Sequence, residues 1–322
     1  MKRYNILVTG VGAIIGYGLI KSLRRCKYPV HITGTDIYDD AYGQYICDDF
    51  IVAKPAADED YPEWLRSVII EREIDLVLFG VEQEAIRLAK DLHRLGSEAE
   101  KIVINRPEII ELSQDKWLTY EFLMRQGIEA IPSMIEGEFD EFVNKLGCPF
   151  LLKPRRSYAS KGIEKIYTID ELEFYRKKTG SQFMVQQIIG DAEHEYTAGV
   201  FCYGDGKCNK PIIMRRKLSG EGATAKAEVI ECVEIEVAIE ELVKLLKPIG
   251  PTNFQFRKEN DKYLLLEINP RISSSTSLRT EFGYNEAEMC IDYFVNGNMP
   301  ENVSIKMGSA IRYIADYVVE IK

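Results

Sequence analysis

The chain has 322 residues, enough for two domains of about 150 residues each, and its 46% apolar and 29% charged residues exclude a disordered or fibrous protein. With 51 acidic against 41 basic residues the net charge is −10, so neither nucleic acid nor an anionic membrane is an expected partner. The seven cysteines are scattered without a C-x-x-C pair and there are three histidines, which argues against a disulfide framework or a histidine-rich metal centre and for a reduced, cytoplasmic protein.

The first third alternates strands and helices. Tyr4–Thr9 is a continuous apolar run suited to a buried parallel strand, and Ile14–Arg25 has helical spacing. The uncharged run from Tyr4 to Ile20 carries Gly10, Gly12, Gly16 and Gly18 and leads into Lys21 and Arg24. It lacks a small-residue cleavage site, so it reads as strand, turn and helix rather than a signal peptide. His31–Asp36, Ile74–Phe79 and Lys101–Ile104 are predicted strands, and Tyr61–Arg72 and Gln83–Leu95 predicted helices. Such alternation implies parallel pairing and a doubly wound α/β domain over residues 1–106.

Beyond Asn105-Arg106-Pro107 the pattern changes. Glu108–Leu112, Lys116–Gln126 (capped by Gly127), Phe139–Leu146, Asp170–Lys178 and Val237–Leu246 read as helices. Phe150–Lys153, Gly162–Tyr167, Phe183–Ile189, Glu195–Tyr203, Ile212–Lys217, Thr252–Phe256, Tyr263–Ile268 and Ile311–Val319 read as strands. Grouped strands with a few helices indicate an α+β domain over 107–300 and a C-terminal strand segment over 301–322. No internal repeat is visible.

Gly10-Val11-Gly12-Ala13-Ile14-Ile15-Gly16 follows the first strand and opens a helix, a setting in which free N–H groups hold an anion. Asp36 ends the second strand where a nicotinamide enzyme binds ribose, although the third glycine stands one position late for that fingerprint. The alternative is a tight turn with no ligand. Glu82 and Glu84 face the same rim.

The most informative stretch is Asn253-Phe254-Gln255-Phe256-Arg257 through Leu264-Leu265-Leu266-Glu267-Ile268-Asn269-Pro270-Arg271. Glu267 interrupts an apolar strand, where a carboxylate is costly unless paired or metal-bound. Asn269 shares its face, and a hairpin centred on Asp261 sets Gln255 directly across from Glu267. Three oxygen ligands without sulfur or imidazole suit Mg²⁺ holding nucleotide phosphates. The alternative is a structural glutamate paired with Arg271 or Arg257. Upstream, Lys153 ends a strand and is suited to a phosphate, and Arg155–Gly162 reads as a mobile basic loop fit to close over phosphates. Lys116 and Arg215-Arg216-Lys217 are further basic candidates, each with a solvated face as the alternative.

These residues resemble the ATP-grasp superfamily, and most closely one synthetase unit of the carbamoyl phosphate synthetase large chain. Asn-Phe-Gln-Phe-Arg…Leu-Glu-Ile-Asn-Pro-Arg is similar to the family's metal hairpin, Met184–Gly190 to its interdomain hinge, and Gln114-Asp115-Lys116-Trp117 to the entry of its nucleotide domain. The resemblance makes residues 1–106 the pre-ATP-grasp domain, without need of a nicotinamide cofactor, and 107–300 the ATP-grasp domain, with a lid at about 117–190. It implies that Lys116 and Lys153 contact ATP phosphates, that Gln187 and Ile189 line adenine through their backbone, and that Glu195 holds the ribose. It also implies that Gln255, Glu267 and Asn269 bind two Mg²⁺ (with Mn²⁺ as a substitute) and that Arg271 stabilises an acyl phosphate. The phosphate loop is poorer in glycine than the family's, and there is one synthetase unit and no recognisable glutaminase. The implied activity is an ADP-forming carboxylate–amine ligase acting on small molecules. A nicotinamide-dependent oxidoreductase and a non-catalytic nucleotide-binding protein are the alternatives. The acid, the amine and the oligomeric state are not encoded in any motif.

Overall fold

The computed structural model describes residues 2–157, 161–180, 182–220 and 222–319. Its first part is a four-stranded sheet of β1 (Tyr4–Thr9), β2 (Val30–Asp36), β3 (Asp49–Val52) and β4 (Leu76–Leu78), all parallel, in the order β3-β2-β1-β4. Alternate residues of β1 serve opposite faces. Ile6 and Val8 pack with Leu19, Ile20 and Leu23 of α1 (Ile14–Leu23), while Leu7 packs with Leu65 and Ile69 of α2 (Tyr61–Glu71). Burial on both sides explains the uninterrupted apolar run of β1. The helix α3 (Glu82–Asp91) follows β4. The predicted strand Lys101–Ile104 is reduced to one bridge, Val77 to Ile102, and β3 had no signal because its four residues include one aspartate and half of them are exposed.

The helices α4 (Pro107–Gln114) and α5 (Lys116–Arg125) lead to a second sheet of β5 (Ser133–Met134), β6 (Phe150–Pro154), β7 (Glu164–Ile166) and β8 (Phe183–Gln187), antiparallel in the order β5-β8-β6-β7. The helices α6 (Phe139–Leu146) and α7 (Ile169–Thr179) cover it through Phe142, Leu146 and Leu172. Of the basic loop Arg155–Gly162, residues Tyr158, Ala159 and Ser160 lie outside the described residues.

The third sheet has six antiparallel strands in the order β13-β12-β9-β10-β11-β14. They are β9 (Glu195–Tyr203), β10 (Ile212–Leu218), β11 (Thr224–Ile230), β12 (Ile249–Glu259), β13 (Lys262–Asn269) and β14 (Ser309–Ile311). Helix α8 (Val233–Leu246) seals one face, with Ile235, Ile239 and Leu242 against Ala198, Val200 and Phe254. The opposite face carries Glu195, Thr197 and Gly199 of β9. The expected closing strand Ile311–Val319 is corrected: pairing ends at Ile311, and Tyr313, Ile314 and Val318 are exposed. No helix among the described residues is long and apolar enough to cross a membrane.

Helices α9 (Thr276–Glu281) and α10 (Glu286–Cys290) bring a buried ion pair onto the free face of the third sheet. Arg279 Nη1 lies 2.9 Å from Glu286 Oε1, both residues fully buried, and Arg279 Nη2 also donates to Asn253 and Thr197. Gly199 makes this packing feasible, since a Cβ there would sit 2.2 Å from the guanidinium. Removing one partner strands the other charge in the interior, so Arg279→Met should lower stability by about 3–5 kcal/mol. The double replacement Arg279→Met/Glu286→Leu should lose less than the sum of the single changes. Urea denaturation of the three variants measures this.

Candidate functional site

The hairpin β12–β13 sets the site. Gln255 pairs with Glu267 and Asn253 with Asn269, the register expected from the sequence, but by a different route. The loop is the two residues between Glu259 and Lys262, and Asn260 takes the left-handed conformation (φ 54°) that this residue type tolerates. From that turn Phe256 pairs with Leu265, so the register shifts between Phe256 and Gln255 and Leu266 is the extra residue of a bulge. The bulge re-aims the strand. Leu265 and Ile268 remain in the core beneath α8, whereas Leu266, Glu267 and Asn269 all face a cleft.

The cleft is a cavity of about 570 Å³ bounded by the second and third sheets and by the N-terminal ends of α1 and α3. Lys116, Lys153, Glu195, Gln255, Glu267, Asn269 and Arg271 line it, so seven of the expected site residues converge there. Gln187 and Ile189 do not line it. The Gln187 N–H donates to the Pro132 carbonyl (2.9 Å), and Ile189 packs with Ile131 and Leu264, with Leu266 at the edge of that cluster.

Lys153 stands one residue before the end of β6 and lines the cleft, but its side chain is buried rather than free. Its Nζ donates to Gln186 Oε1 at 2.5 Å. Gln186 Nε2 in turn donates to Ser133 Oγ (2.9 Å), whose hydroxyl donates to the Ile131 carbonyl (2.8 Å). Gln186 is therefore a site residue that the sequence reading passed over in favour of Gln187. Pairing of Leu151 with Gln186 across β6 and β8 puts Gln186 on the same face as Lys153. Burial, reinforced by the charges of Lys116 and Arg257 and opposed by Glu267, pushes the Lys153 ammonium down to about 7. Burial also lowers Lys116, against the pull of Glu267, Glu82 and Asp115.

Arg155, at the start of the basic loop, is anchored. Its guanidinium forks onto Asp115 (Nε–Oδ1 3.0 Å, Nη2–Oδ2 2.7 Å), the same carboxylate that caps α5 through Trp117 N–H. Burial alone would raise Asp115. The Arg155 pair and the helix N–H groups outweigh it and hold the carboxyl below its usual range. Lys116 Nζ reaches the Ser157 carbonyl at 3.0 Å and hydroxyl at 3.1 Å, fastening the start of the loop to α5.

Glu195 lines the cleft between two arginines. One oxygen accepts from Arg216 (Nη2 2.8 Å, Nε 3.1 Å) and the other from Arg257. The residue is buried and both oxygens are engaged by guanidinium groups. Arg216 Nη2 also donates to Gln255 Oε1 (2.7 Å), so Arg216 belongs to the floor of the cleft and not to a solvated face.

Neither arginine that might have neutralised Glu267 does so. Arg257 is taken by Glu195, and Arg271 Nη2 lies 3.0 Å from both Glu82 Oε2 and Asn269 Oδ1. Glu267 is left as a half-buried carboxylate with Lys116, Lys153 and Arg216 as its electrostatic neighbours. Among the described residues no three His, Cys, Asp or Glu side chains converge as a metal cluster. The donor set is one carboxylate and two amide oxygens, and each amide oxygen also accepts from a guanidinium (Gln255 from Arg216, Asn269 from Arg271). Hard oxygens of this kind suit Mg²⁺, which keeps waters and takes further oxygens from phosphates.

At the N-terminal glycine turn the anion position is filled from within. Gly12 N–H donates to Asp36 Oδ2 at 2.8 Å, and Asp36 Oδ1 accepts from Tyr38 N–H at 3.2 Å. A dinucleotide pyrophosphate would meet this carboxylate at the loop, which counts against the nicotinamide alternative. Glu84 accepts from the Thr9 hydroxyl and lies beside Tyr61, and burial raises its carboxyl to about 7. Glu82, by contrast, reaches the cleft through Arg271.

Residues 181–317 match the family described as "ATP-grasp in the biosynthetic pathway with Ter operon". The carbamoyl phosphate synthase large chain of Thermotoga sp. (strain RQ2) is 23% identical over 288 residues, covering 81% of this chain and 25% of that protein. The chain thus spans about a quarter of the length of that relative. Among solved structures, N5-carboxyaminoimidazole synthetase from Staphylococcus aureus complexed with ADP superposes with a TM-score of 0.73 at 22% identity, covering 94% of this chain and 80% of that one. Biotin carboxylase from Campylobacter jejuni, in a beta-gamma-ATP complex, gives 0.72 at 16% identity over 95% and 74%.

Lys153 provides a pH test. In the unfolded chain its ammonium titrates near 10.4, and in the fold near 7. Between those values the unfolded state binds more protons, so stability rises with pH. Lys153→Met should melt at a higher temperature relative to wild type at pH 7, and the difference should shrink as pH approaches 10. Calorimetric melting of both proteins over that range checks it.

Proposed function

We propose, from the premise that this chain is an ATP-grasp protein similar to one synthetase unit of the carbamoyl phosphate synthase large chain, that it is an ATP- and Mg²⁺-dependent ligase joining a small carboxylic acid to an amine. The observation that carries the reading is the convergence of Gln255, Glu267 and Asn269 from one hairpin face with Lys116 and Lys153 in a single cavity. In this reading residues 1–106 are the pre-ATP-grasp domain and 107–300 the ATP-grasp domain, with the lid at about 117–190.

Lys116 and Lys153 bind the nucleotide phosphates. Adenine lies toward the apolar cluster of Ile131, Ile189, Leu264 and Leu266, with the backbone after β8 at its edge. Glu267, Gln255 and Asn269 hold Mg²⁺, two ions in the fullest form of the proposal, and Glu267 supplies the negative charge among the three ligands. When bound, the metal neutralises phosphate charge and orients the transferring group. A carboxylate oxygen of the acid attacks the γ-phosphorus, the bond to the β-bridging oxygen breaks, and ADP leaves. The amine nitrogen then attacks the acyl carbon, phosphate departs, and the nitrogen loses a proton to phosphate or water. Arg271, fixed by Glu82 and Asn269, faces the negative charge that develops on the acyl phosphate and as it collapses. Positioning and charge neutralisation suffice for such transfer, so no protein nucleophile is needed.

ADP release from Mg-ATP is the direct test, with pooled carboxylic acids, with and without pooled amines, and with hydroxylamine as a trap. ADP that depends on an acid–amine pair, with hydroxamate in the trap, is the expected outcome. Nucleotide binding without ADP in any pool would instead favour the non-catalytic alternative. Glu267→Gln should lower turnover by at least about 100-fold while leaving the melting temperature close to that of wild type. Retained activity in that variant would remove the metal assignment.

A further inference from the structure

Beside the cleft, at the carboxyl ends of β1 and β2, lies a second cavity of about 720 Å³. That size falls within the range of roughly 300–1,000 Å³ typical of small-molecule sites. The two cavities share Ala13, Val81 and Gln83, so the second adjoins the first. Its walls are small or apolar, among them Ala53, Pro55 and Ala56, and its mouth is formed by Ile37, Tyr38 and Tyr42. Those three large side chains are 48%, 65% and 45% exposed, unusual for an apolar group gathered at one opening.

The charges at this cavity have one sign. Asp36, Asp40 and Glu84 line it, and among the described residues no lysine, arginine or histidine does. The glycine-loop N–H that would offer an anion a donor is already given to Asp36. A carboxylate or phosphate entering here would meet acid groups and no cation. A cation would meet two aspartates and the rings of Tyr38 and Tyr42, which attract positive charge.

We propose that this cavity is the specificity pocket for the amine substrate, and that it selects an amine with an apolar carbon body and no carboxylate. The body lies among Ala53, Pro55 and Ala56 and the nitrogen points toward the shared residues Ala13, Val81 and Gln83, on the cleft side. The inference rests on the ligase reading above for its chemistry, while the preference for amine over acid rests on the lining alone. It separates the two substrates: the acid is activated in the cleft beside Lys116, Lys153 and Arg271, and the amine waits in a compartment that repels acids.

The test measures binding rather than turnover, on the full chain saturated with Mg-ADP. Pairs of probes sharing a carbon skeleton are compared by amide chemical shifts: phenethylamine with hydrocinnamate, hexylamine with heptanoate, and tyramine with tyrosine. The amines should move the signals of Tyr38, Tyr42, Ala53 and Ala56, and the acids should not. Ala56→Trp, which fills the cavity, and Asp40→Lys, which reverses its charge, should each weaken amine binding at least tenfold and leave Mg-ADP affinity within twofold. Neither residue touches the nucleotide cleft. Equal binding of acids, amine binding unchanged in both variants, or no amine bound by protein that does bind Mg-ADP would overturn the proposal. Failure to bind Mg-ADP at all would overturn the ligase reading instead, so the two are told apart.

Discussion

A carboxylate on the inner face of a sheet needs positive charge near it, and the disposition of charge around Glu267 organises the molecule's centre. Each nearby arginine is already committed: Arg257 and Arg216 to Glu195, Arg271 to Glu82. The Glu195–Arg216 pair, both members buried, satisfies groups whose burial alone would cost several kcal/mol each. These commitments leave Glu267 facing Lys153 and Lys116, two amines that burial makes reluctant to hold their protons. A surplus of cationic potential and one available carboxylate are what a polyphosphate with its divalent ion would complete. Glu195 and Arg216 thus act as a scaffold that keeps the cleft's reactive charges unspent.

The same economy recurs at the edges. Asp115 closes three tasks at once, capping α5, holding Arg155 and setting Lys116 at the helix start. Asp36 fills the glycine turn in the first sheet in place of an external anion. Arg271, which follows β13, reaches Glu82 at the start of α3, so a charged contact links the first part of the chain to the third sheet at the cleft.

Much of this was legible beforehand, for identifiable reasons. Strands such as Tyr4–Thr9 and Glu195–Tyr203 and the helix Phe139–Leu146 carried strong local patterns and were placed to the residue. Glu267 stood out because a charge in an apolar strand violates burial, and Gln255 followed from hairpin pairing. What escaped depends on contacts distant in sequence. Strand β11 (Thr-Ala-Lys-Ala-Glu-Val-Ile) has large apolar residues only at its last two positions and is defined by its neighbours β10 and β14. Helices α9 and α10 are too short to show a period and exist around the Arg279–Glu286 pair. The parts of Glu195 and Arg155 were unreadable because their partners, Arg216 and Asp115, lie on other strands and helices. Gln186 was missed by one position, since either glutamine could face the cleft until β6 was laid beside β8.

The bulge at Leu266 has a consequence for reading related chains. With a loop of two residues, residues directly opposite one another are always an odd number of positions apart. Gln255 and Glu267 are an even number apart and yet are paired. That mismatch of parity can be satisfied only by one unpaired residue on a strand or by a loop of odd length. Inserting or deleting a single residue at Asn260-Asp261 would therefore leave a hairpin still able to form, but with the bulge made superfluous or doubled. The integrity of the site is a question of odd and even numbers, and it can be checked in any such sequence before its structure is known.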